Sequence, residues 1–252
     1  MNDVLASFSP TLYRGRKVVV SGGSSGLGLA VAQGFAGLGA DVIATGSSAA
    51  KLEHARKLPE NAGISFQRLD VRDTEAVKAF FSSLTQLDVL VNAQGTAQPV
   101  EEWNEKAFMD VMDVNLNSVL RLAMAAKPLL EISRGSILNV ASMLSYLMDV
   151  IVPAYTTSKT GLLGLTRVMA HKFGPEGIRV NAIAPGYHRT ELTKAMWSDP
   201  VGAEKFANHA ALKRWGEAED IVGAVLFLSS PAAAFITGTC LPVDGGYVSG
   251  NV

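Results

Sequence analysis

Cysteine is nearly absent from the sequence, which has one in 252 residues. The single thiol, Cys240, allows no disulfide within the chain and excludes a zinc site built on several thiolates. A lone cysteine in an apolar stretch is most often a small buried residue, and we expect this of Cys240 in a strand. We expect no metal site in this protein.

The chain also lacks an excess of charge and a long apolar run. Its 22 Lys and Arg nearly balance 23 Asp and Glu, which indicates no basic surface for nucleic acid or anionic lipid. The most apolar long stretch, residues 136–154, is interrupted by Asn139, Asp149 and Pro153. The first ten residues contain Asp3 but neither Lys nor Arg, unlike a signal peptide. We therefore expect a soluble cytoplasmic protein that binds neither nucleic acid nor membrane.

The composition that remains is typical of a globular protein. Hydrophobic residues make up 48% of the chain and charged residues 18%, which is too apolar for an intrinsically disordered protein. A chain of 252 residues can form one large domain or two small ones. Because no internal repeat, low-complexity tract or linker interrupts it, we predict one domain over residues 1–252.

A glycine-rich turn follows the first strand-like segment. Residues 17–21 (KVVVS) are apolar and β-branched, and a helical pattern follows the turn through Leu38. Such a turn admits a pyrophosphate, and the helix N-terminus offers free N–H groups, so the arrangement favours a dinucleotide site. The spacing is G-x-x-x-G-x-G rather than G-x-G-x-x-G, and a merely flexible loop is the alternative. The residues that we expect to contact the dinucleotide here are Gly22, Ser24, Ser25, Gly26, Leu27 and Gly28.

The turn after the second predicted strand, residues 41–45, bears on the choice of cofactor. An acidic residue usually follows this strand and binds the ribose 2′-hydroxyl of NAD, whereas an arginine nearby suits the 2′-phosphate of NADP. This chain has Gly46, Ser47 and Ser48 instead. The turn carries no negative charge and offers two hydroxyl donors, which gives a slight preference to NADP(H) and leaves NAD(H) open. An ordinary polar turn would have the same composition.

Strand-like and helical segments alternate along the rest of the chain. The further strand-like segments are residues 64–69, 88–91, 136–140, 179–183 and 240–243. The alternation predicts an α/β fold, a Rossmann-type doubly wound parallel sheet flanked by helices on both faces. Ligands of such sheets bind at the carboxyl ends of the strands. The candidate cofactor contacts at these ends are Asp70, Val71, Asn92, Ala93, Gln94 and Gly95.

Tyr155 and Lys159 stand four residues apart in a helical pattern that begins near Pro153. This spacing places both side chains on one face of a helix. An ammonium nearby favours a phenolate, so we expect Lys159 to lower the pKa of Tyr155 toward neutral and make it a general acid or base. The hydroxyl of Ser142 would donate to a carbonyl oxygen or alkoxide. An exposed helix face that happens to carry one Tyr and one Lys is the alternative.

Residues 190–212 form the least regular region of the sequence. They hold Met196, Trp197, Phe206 and His209 in a polar surround, directly after a strand end. This position predicts a substrate lid. A pair of surface helices with a few packing aromatics is equally compatible with the pattern.

Eight motifs in the same order make the sequence resemble the short-chain dehydrogenase/reductase family over nearly its whole length. They are residues 21–28 (SGGSSGLG), 70–71 (DV), 92–95 (NAQG), Asn115, Ser142, Tyr155 with Lys159, residues 179–186 (RVNAIAPG) and 243–246 (VDGG). The resemblance implies an NAD(P)-dependent enzyme that interconverts a secondary alcohol and a ketone. It also implies a homotetramer, because family members commonly assemble through the helices that carry Asn115 and Tyr155.

The resemblance implies catalytic roles for four residues. Tyr155 would protonate the carbonyl oxygen in reduction or act as base in oxidation, and Ser142 would hydrogen-bond that oxygen. Lys159 would lower the pKa of Tyr155 and bind the nicotinamide ribose. Asn115 would hold a water that joins Lys159 to solvent as a proton relay.

Cofactor contacts are implied in the same way. Residues 70–71 would contact adenine, and residues 92–95 would line the adenosine ribose. Thr190 would contact the nicotinamide carboxamide or the pyrophosphate. Near the carboxyl ends of the last strands, the resemblance implies further cofactor contacts at Pro185, Gly186, His188 and Thr190, together with Tyr155 and Lys159.

Two residues depart from the family pattern. Gln94 precedes Gly95 where the family usually has Asn-Ala-Gly, which places a polar side chain near the ribose or the substrate. His188 stands where an apolar residue is usual, and it is either a structural residue or one that touches the substrate.

The substrate implied by the resemblance is a sugar acid or keto sugar. Residues 142–145, 152–155 and 184–187 look most like gluconate 5-dehydrogenase and 2-deoxy-gluconate 3-dehydrogenase, with 3-oxoacyl-carrier-protein reductases broadly similar. The expected pocket is nevertheless apolar, so reduction of an apolar or acyl-type ketone is the alternative. A nucleotide-binding sensor without turnover is an alternative from another class.

Overall fold

The computed structural model describes residues 1–250 and contains one seven-stranded parallel sheet in the order β3-β2-β1-β4-β5-β6-β7. The strands are β1 Lys17–Ser21, β2 Asp41–Gly46, β3 Ile64–Arg68, β4 Val89–Asn92, β5 Ser136–Val140, β6 Arg179–Pro185 and β7 Cys240–Val243. The order reverses between β1 and β4, which is the point where a doubly wound sheet opens a crevice at its carboxyl ends. The predicted α/β fold is confirmed.

Helices cover both faces of the sheet. They are α1 Asn2–Leu5, α2 Gly26–Gly37, α3 Ala49–Lys57, α4 Thr74–Ser82, α5 Glu105–Met112, α6 Ser118–Ser133, α7 Pro153–Phe173, α8 Lys194–Trp197, α9 Pro200–His209 and α10 Val222–Ser229. One hydrophobic core lies under α2 and α10, and the other lies under α4, α6 and α7. The central strands β1 and β4 contribute to both cores because their side chains alternate between the two faces.

Residues 101–112 do not form one continuous helix. Residues Glu101–Trp103 form a 3₁₀ turn, and α5 begins after Asn104. The Asn104 side chain accepts a hydrogen bond from the Lys106 N–H at 3.0 Å, as an N-cap residue does. The asparagine cap therefore sets the start of α5.

Two other local features concern α6 and the last strand. A π turn, Asp113–Asn117, directly precedes α6 and contains Asn115. Cys240 lies in β7 as expected but is half-buried rather than buried, because β7 is the edge strand of the sheet. Within residues 1–250, no helix has both the length and the apolar composition needed to cross a membrane.

The irregular region of residues 190–212 contains the two short helices α8 and α9. Below α9, Tyr187, Phe206 and Trp215 pack ring against ring, with centroids 4.3 to 5.9 Å apart. Trp215 is buried, and its indole N–H donates to the Ala203 carbonyl at 2.8 Å. The aromatic cluster thus anchors α9, and whether the region moves as a lid stays a prediction.

Candidate active site

A cavity of about 720 Å³ lies at the carboxyl ends of the central strands. Most of the residues singled out from the sequence line it. They are Gly22, Ser24, Ser25, Gly26, Leu27, Gly28, Gly46, Ser47, Ser48, Asp70, Val71, Ala93, Gln94, Gly95, Ser142, Tyr155, Lys159, Pro185, Gly186, His188 and Thr190. The fold therefore brings the glycine turn and the Tyr155 helix, which are more than a hundred residues apart, to one cavity.

Two of the predicted residues are not part of the cavity lining. Asn92 is buried, and its amide donates to the Asn139 side chain at 2.9 Å, which donates in turn to Thr166. Asn115 is also buried and bonds the backbone of Thr96 through both ends of its amide, at 2.8 and 2.9 Å. In the structure both asparagines brace the cavity wall from behind.

The glycine turn is shaped by close backbone approaches. Gly22 has φ +77°, and a Cβ atom there would lie 2.5 Å from the Gln94 backbone nitrogen. A Cβ atom at Gly28 would overlap the Gly22 carbonyl oxygen. Within the described residues 1–250, no side chain caps the N-terminus of α2 at Ser25, which leaves the first N–H groups of the helix available to a ligand. This cradle fits a pyrophosphate.

The turn after β2 closes the far end of the cavity. A Cβ atom at Gly46 would lie 2.7 Å from the Ser24 hydroxyl oxygen, so the two residues are in close contact. Ser48 caps α3 by accepting the Lys51 N–H at 3.3 Å. Lys51 also lines the cavity and was missed from the sequence, although its place in the first turn of α3 follows from the Ser48 cap. This end of the cavity therefore contains hydroxyls and an ammonium but no carboxylate from β2.

Asp70 is held by Arg72, which also lines the cavity and was likewise missed. The guanidinium donates two hydrogen bonds to the Asp70 carboxylate, at 3.0 and 2.7 Å. The hydrogen bonds from Arg72 lower the pKa of Asp70. Both side chains are more than one-third exposed, so we assign this pair no large stabilising effect.

Tyr155 lies in the first turn of α7. We expected Lys159 to lower the pKa of its phenol toward neutral, and this expectation was wrong. Burial raises the pKa of the phenol, the hydrogen bond with Ser142 lowers it, and the negative charge of Glu102 raises it further. The Lys159 ammonium lies 5.6 Å from the ring centroid and donates to the Val140 carbonyl at 2.7 Å. Loss of solvation is therefore the main effect on the phenol, the Lys159 ammonium does not lower its pKa, and the phenol stays in its protonated form.

Lys159 itself is buried, at 3% exposure. Burial lowers the pKa of its ammonium to about 8. A Cβ atom at Gly95 would lie 3.6 Å from Lys159 Nζ and 3.7 Å from Asn115 Oδ1, so the glycine lies between these two polar groups.

Ser142 is positioned by the turn that follows β5. Its hydroxyl caps the 3₁₀ turn Met143–Ser145 by accepting the Leu144 N–H at 3.1 Å. The Ser145 hydroxyl donates to the Lys159 carbonyl at 2.6 Å, which ties this turn to α7. The backbone between β5 and α7 thus fixes the serine hydroxyl relative to the tyrosine helix.

The two departures from the family pattern have different surroundings. His188 is buried, its Nδ1 lies 3.1 Å from the Gly186 carbonyl, and its ring packs on Gly216, which favours the structural alternative. Burial lowers the pKa of His188, so the ring is neutral near pH 7.

Gln94 donates to the Ser118 hydroxyl at 2.9 Å, and its buried Oε1 has no hydrogen-bond partner within residues 1–250. The Gln94 side chain therefore lies in the cavity wall with its buried oxygen unused by the described residues.

Comparisons with known proteins agree with this geometry. A family model described as enoyl-(acyl carrier protein) reductase matches residues 22–248. The chain is 38% identical over 244 residues to 2-dehydro-3-deoxy-D-gluconate 5-dehydrogenase of Bacillus subtilis, covering 94% of this chain and 96% of the relative. It is 35% identical over 241 residues to gluconate 5-dehydrogenase of Gluconobacter oxydans, covering 92% and 94%.

A solved structure is similar throughout. It is that of a putative 2-deoxy-D-gluconate 3-dehydrogenase from Agrobacterium tumefaciens with bound NADP, with a TM-score of 0.87 and 36% identity over 96% of this chain and all of that chain. The chain belongs to the short-chain dehydrogenase/reductase family. It is an NAD(P)-dependent oxidoreductase that acts on CH–OH groups, as the resemblance implied. Neither alternative, an apolar-ketone reductase or a sensor without turnover, is favoured by these relatives.

Proposed function

We propose that this enzyme interconverts a secondary hydroxyl and a ketone on a sugar acid, with NADP(H) as its preferred cofactor. The observation that carries the proposal is that Ser142, Tyr155 and Lys159 line the same cavity as the glycine turn of residues 22–28. A proton donor, an oxygen-binding hydroxyl and a phosphate cradle thus share one enclosed space. The relatives named for gluconate and its keto and deoxy derivatives support the substrate class.

The cofactor preference follows from the turn after β2. Gly46 introduces no negative charge there, while Ser47, Ser48 and Lys51 line that end of the cavity. Hydroxyls and an ammonium attract a 2′-phosphate, and a carboxylate would repel it. The similar structure with bound NADP supports the same preference. The pyrophosphate would be held by the N–H groups of Gly26, Leu27 and Gly28.

In the proposed reaction the protein positions the carbonyl and manages the proton. The cofactor, when bound, supplies or accepts the hydride. The raised pKa of Tyr155 keeps the phenol protonated at neutral pH, which suits donation of its proton to the carbonyl oxygen in reduction. Ser142 would donate a hydrogen bond to the same oxygen, and Lys159 would hold the ribose of the bound cofactor and return a proton to the phenol. Asn115, braced on the Thr96 backbone, keeps the relay behind Lys159 in place.

The cofactor contacts proposed at the adenosine end are Asp70, Val71, Ala93, Gln94 and Gly95, and those at the nicotinamide end are Pro185, Gly186, His188 and Thr190. We further propose one domain over residues 1–252, with residues 190–212 as the substrate lid; residues 251–252 lie outside the described part. The protein would act as a cytoplasmic homotetramer.

The proposal is tested with Tyr155→Phe, which removes only the phenolic oxygen. We expect kcat for reduction of 5-keto-D-gluconate with NADPH to fall by about 10² to 10⁴-fold, the usual contribution of general acid catalysis. Quenching of intrinsic fluorescence by NADPH should be nearly unchanged. A Tyr155→Phe variant that still turns over would show that another group donates the proton.

A further inference from the structure

Glu102 is a buried carboxylate that the proposed reaction does not use. It lies in the 3₁₀ turn Glu101–Trp103, and its side chain is 1% exposed, whereas its neighbour Glu101 is exposed. No Lys, Arg or His within residues 1–250 forms an ion pair with it. Burying a carboxylate without a cation is unfavourable unless its oxygens are well hydrogen-bonded, so this arrangement requires an explanation.

Both oxygens of Glu102 accept backbone hydrogen bonds. Oε1 accepts the Gln98 N–H at 2.8 Å, and Oε2 accepts the Tyr155 N–H at 2.8 Å. Gln98 lines the cavity and Tyr155 is the proposed proton donor. One carboxylate therefore connects a cavity wall to the backbone of the central residue of the site, 53 positions away in sequence.

The bond to Tyr155 replaces a missing helix cap. The N-cap residue of α7 is Val152, which has no side-chain acceptor, and Pro153 and Ala154 precede Tyr155 in the first turn. The N–H of the third helical residue is the group that an N-cap Ser, Thr or Asp normally satisfies. Here Glu102 satisfies it from another part of the chain, and its negative charge is favourable at the positive end of the 21-residue helix.

The segment that carries Glu102 is held in a strained conformation. Val100 has φ +72°, which is unfavourable for a β-branched residue. Its N–H donates to the Ile151 carbonyl at 2.8 Å, and the Trp103 indole N–H donates to the Val150 carbonyl at 2.9 Å. These contacts clamp residues 98–103 onto the loop that leads into α7, and strain of this kind persists where the surroundings require one geometry.

We propose that Glu102 is a positioning residue for Tyr155: its buried carboxylate fixes the first turn of α7 by accepting the Tyr155 N–H, and it places a negative charge beside the backbone of that residue. The inference deepens the proposed function, because it assumes that Tyr155 is the proton donor. The charge disfavours the phenolate and so keeps the donor protonated for reduction. Glu102 touches neither the substrate nor the reacting oxygen in this assignment.

The charges around Tyr155 are few. Glu102 is the charged side chain whose field acts on the phenol, and Lys159 approaches the ring but donates to the Val140 carbonyl. The other ionisable side chains that line the cavity are Lys51, Asp70, Arg72, Asp110, His188 and Glu191. Removing the Glu102 charge should therefore change the Tyr155 titration without a compensating effect from another carboxylate.

The test compares Glu102→Gln with its exposed neighbour variant Glu101→Gln, which removes the same charge from the same 3₁₀ turn. Two readouts need no substrate: hydrogen exchange of the Tyr155 amide, and the phenolate titration followed by ultraviolet difference absorbance against Tyr155→Phe. In Glu102→Gln we expect faster hydrogen exchange of the Tyr155 amide and a lower midpoint pH for the Tyr155 phenolate titration. In Glu101→Gln both should match the wild type.

Turnover provides the third readout. Because a small displacement of a catalytic group can reduce the rate by about a hundredfold, we expect a tenfold to hundredfold fall in kcat for ketone reduction in Glu102→Gln, with a smaller change in KM. The alkaline limb of the reduction profile should move to lower pH. Glu102→Asp keeps the negative charge but has a side chain too short to reach the Tyr155 N–H. It should therefore restore the pH profile while kcat stays low. The same variant replaces Glu102→Gln in the test if Glu102→Gln does not fold.

The outcomes separate the two proposals. Wild-type enzyme without turnover on any sugar-acid ketone would overturn the proposed function, while the two spectroscopic readouts would still test Glu102. An unchanged Tyr155 titration and unchanged amide exchange in a folded Glu102→Gln variant would overturn the role of Glu102, even if the wild type is fully active.

Discussion

Lys159 lies one helical turn after Tyr155, yet its ammonium donates to the Val140 carbonyl at 2.7 Å and lies 5.6 Å from the centroid of the tyrosine ring. The two side chains share a face of α7, as their spacing requires. Burial nevertheless affects both: it raises the pKa of the phenol and lowers the pKa of the ammonium to about 8. At pH 7 the pair is therefore a neutral phenol beside an ammonium rather than a phenolate–ammonium pair.

The buried ammonium should reduce stability at neutral pH. A lysine pKa lowered from 10.5 to about 8 corresponds to a cost of about 3 kcal/mol in the protonated form. Between pH 8 and about 10.4 the unfolded chain binds more protons than the folded chain at this group. The free energy of unfolding therefore rises with pH across that window. Below pH 8 the full cost of burying the ammonium applies. Lys159→Met should be inactive but more stable than the wild type at pH 7, with a smaller difference at pH 10. Thermal unfolding at both pH values checks this, and equal differences at the two would contradict it.

Cofactor choice should respond to a charge at Gly46. Gly46→Asp places a carboxylate where we propose that the 2′-phosphate binds, so we expect NADPH to bind at least about tenfold more weakly through charge repulsion. NADH binding should change much less. Gly46→Ala adds the same Cβ atom against Ser24 without the charge and separates the steric effect from the electrostatic one. Fluorescence titrations of both variants with both cofactors would test it, and parallel losses for the two cofactors would refute the assignment.

The glycine turn should not accept a side chain at Gly28. The Cβ atom of Gly28→Ala would overlap the Gly22 carbonyl oxygen, so the turn must shift and the N–H groups at the start of α2 must move with it. We expect loss of NADPH binding by at least about tenfold, together with a lower unfolding temperature. The matched control is Gly63→Ala, where a Cβ atom meets nothing within 4 Å. Equal NADPH affinities in the two variants would count against the phosphate cradle.

The proposed tetramer should depend on the outer face of α6. Leu120 and Met124 are 45% and 53% exposed and lie four residues apart, so they form one apolar strip on this helix. Met124→Glu should lower the molar mass measured by light scattering at micromolar concentration, because a buried unpaired charge is unfavourable at an interface. Val201→Glu, which adds the same charge to an exposed position of α9, should leave the mass unchanged. A monomeric mass for the wild type would exclude the tetramer itself.

The sequence alone determined the features that depend on short-range pattern. The β-branched run of residues 17–21, the glycine turn after it and the four-residue spacing of Tyr155 and Lys159 are local. Because side-chain direction and backbone freedom follow from such patterns, the parallel sheet was predicted correctly, and most of the residues singled out from the sequence line one cavity. The Asn104 cap before α5 is also a local signal, but it was missed from the sequence.

Tertiary structure decided everything that depends on burial and on distant contacts. The direction of the Tyr155 pKa is set by loss of solvation and by Glu102, which approaches from 53 positions earlier in the chain. In the same way, Asn92 is turned away from the cavity because its amide meets Asn139 on the next strand. A sequence pattern identifies which groups can react, but only the packed chain fixes how much water each group loses and which charges it faces.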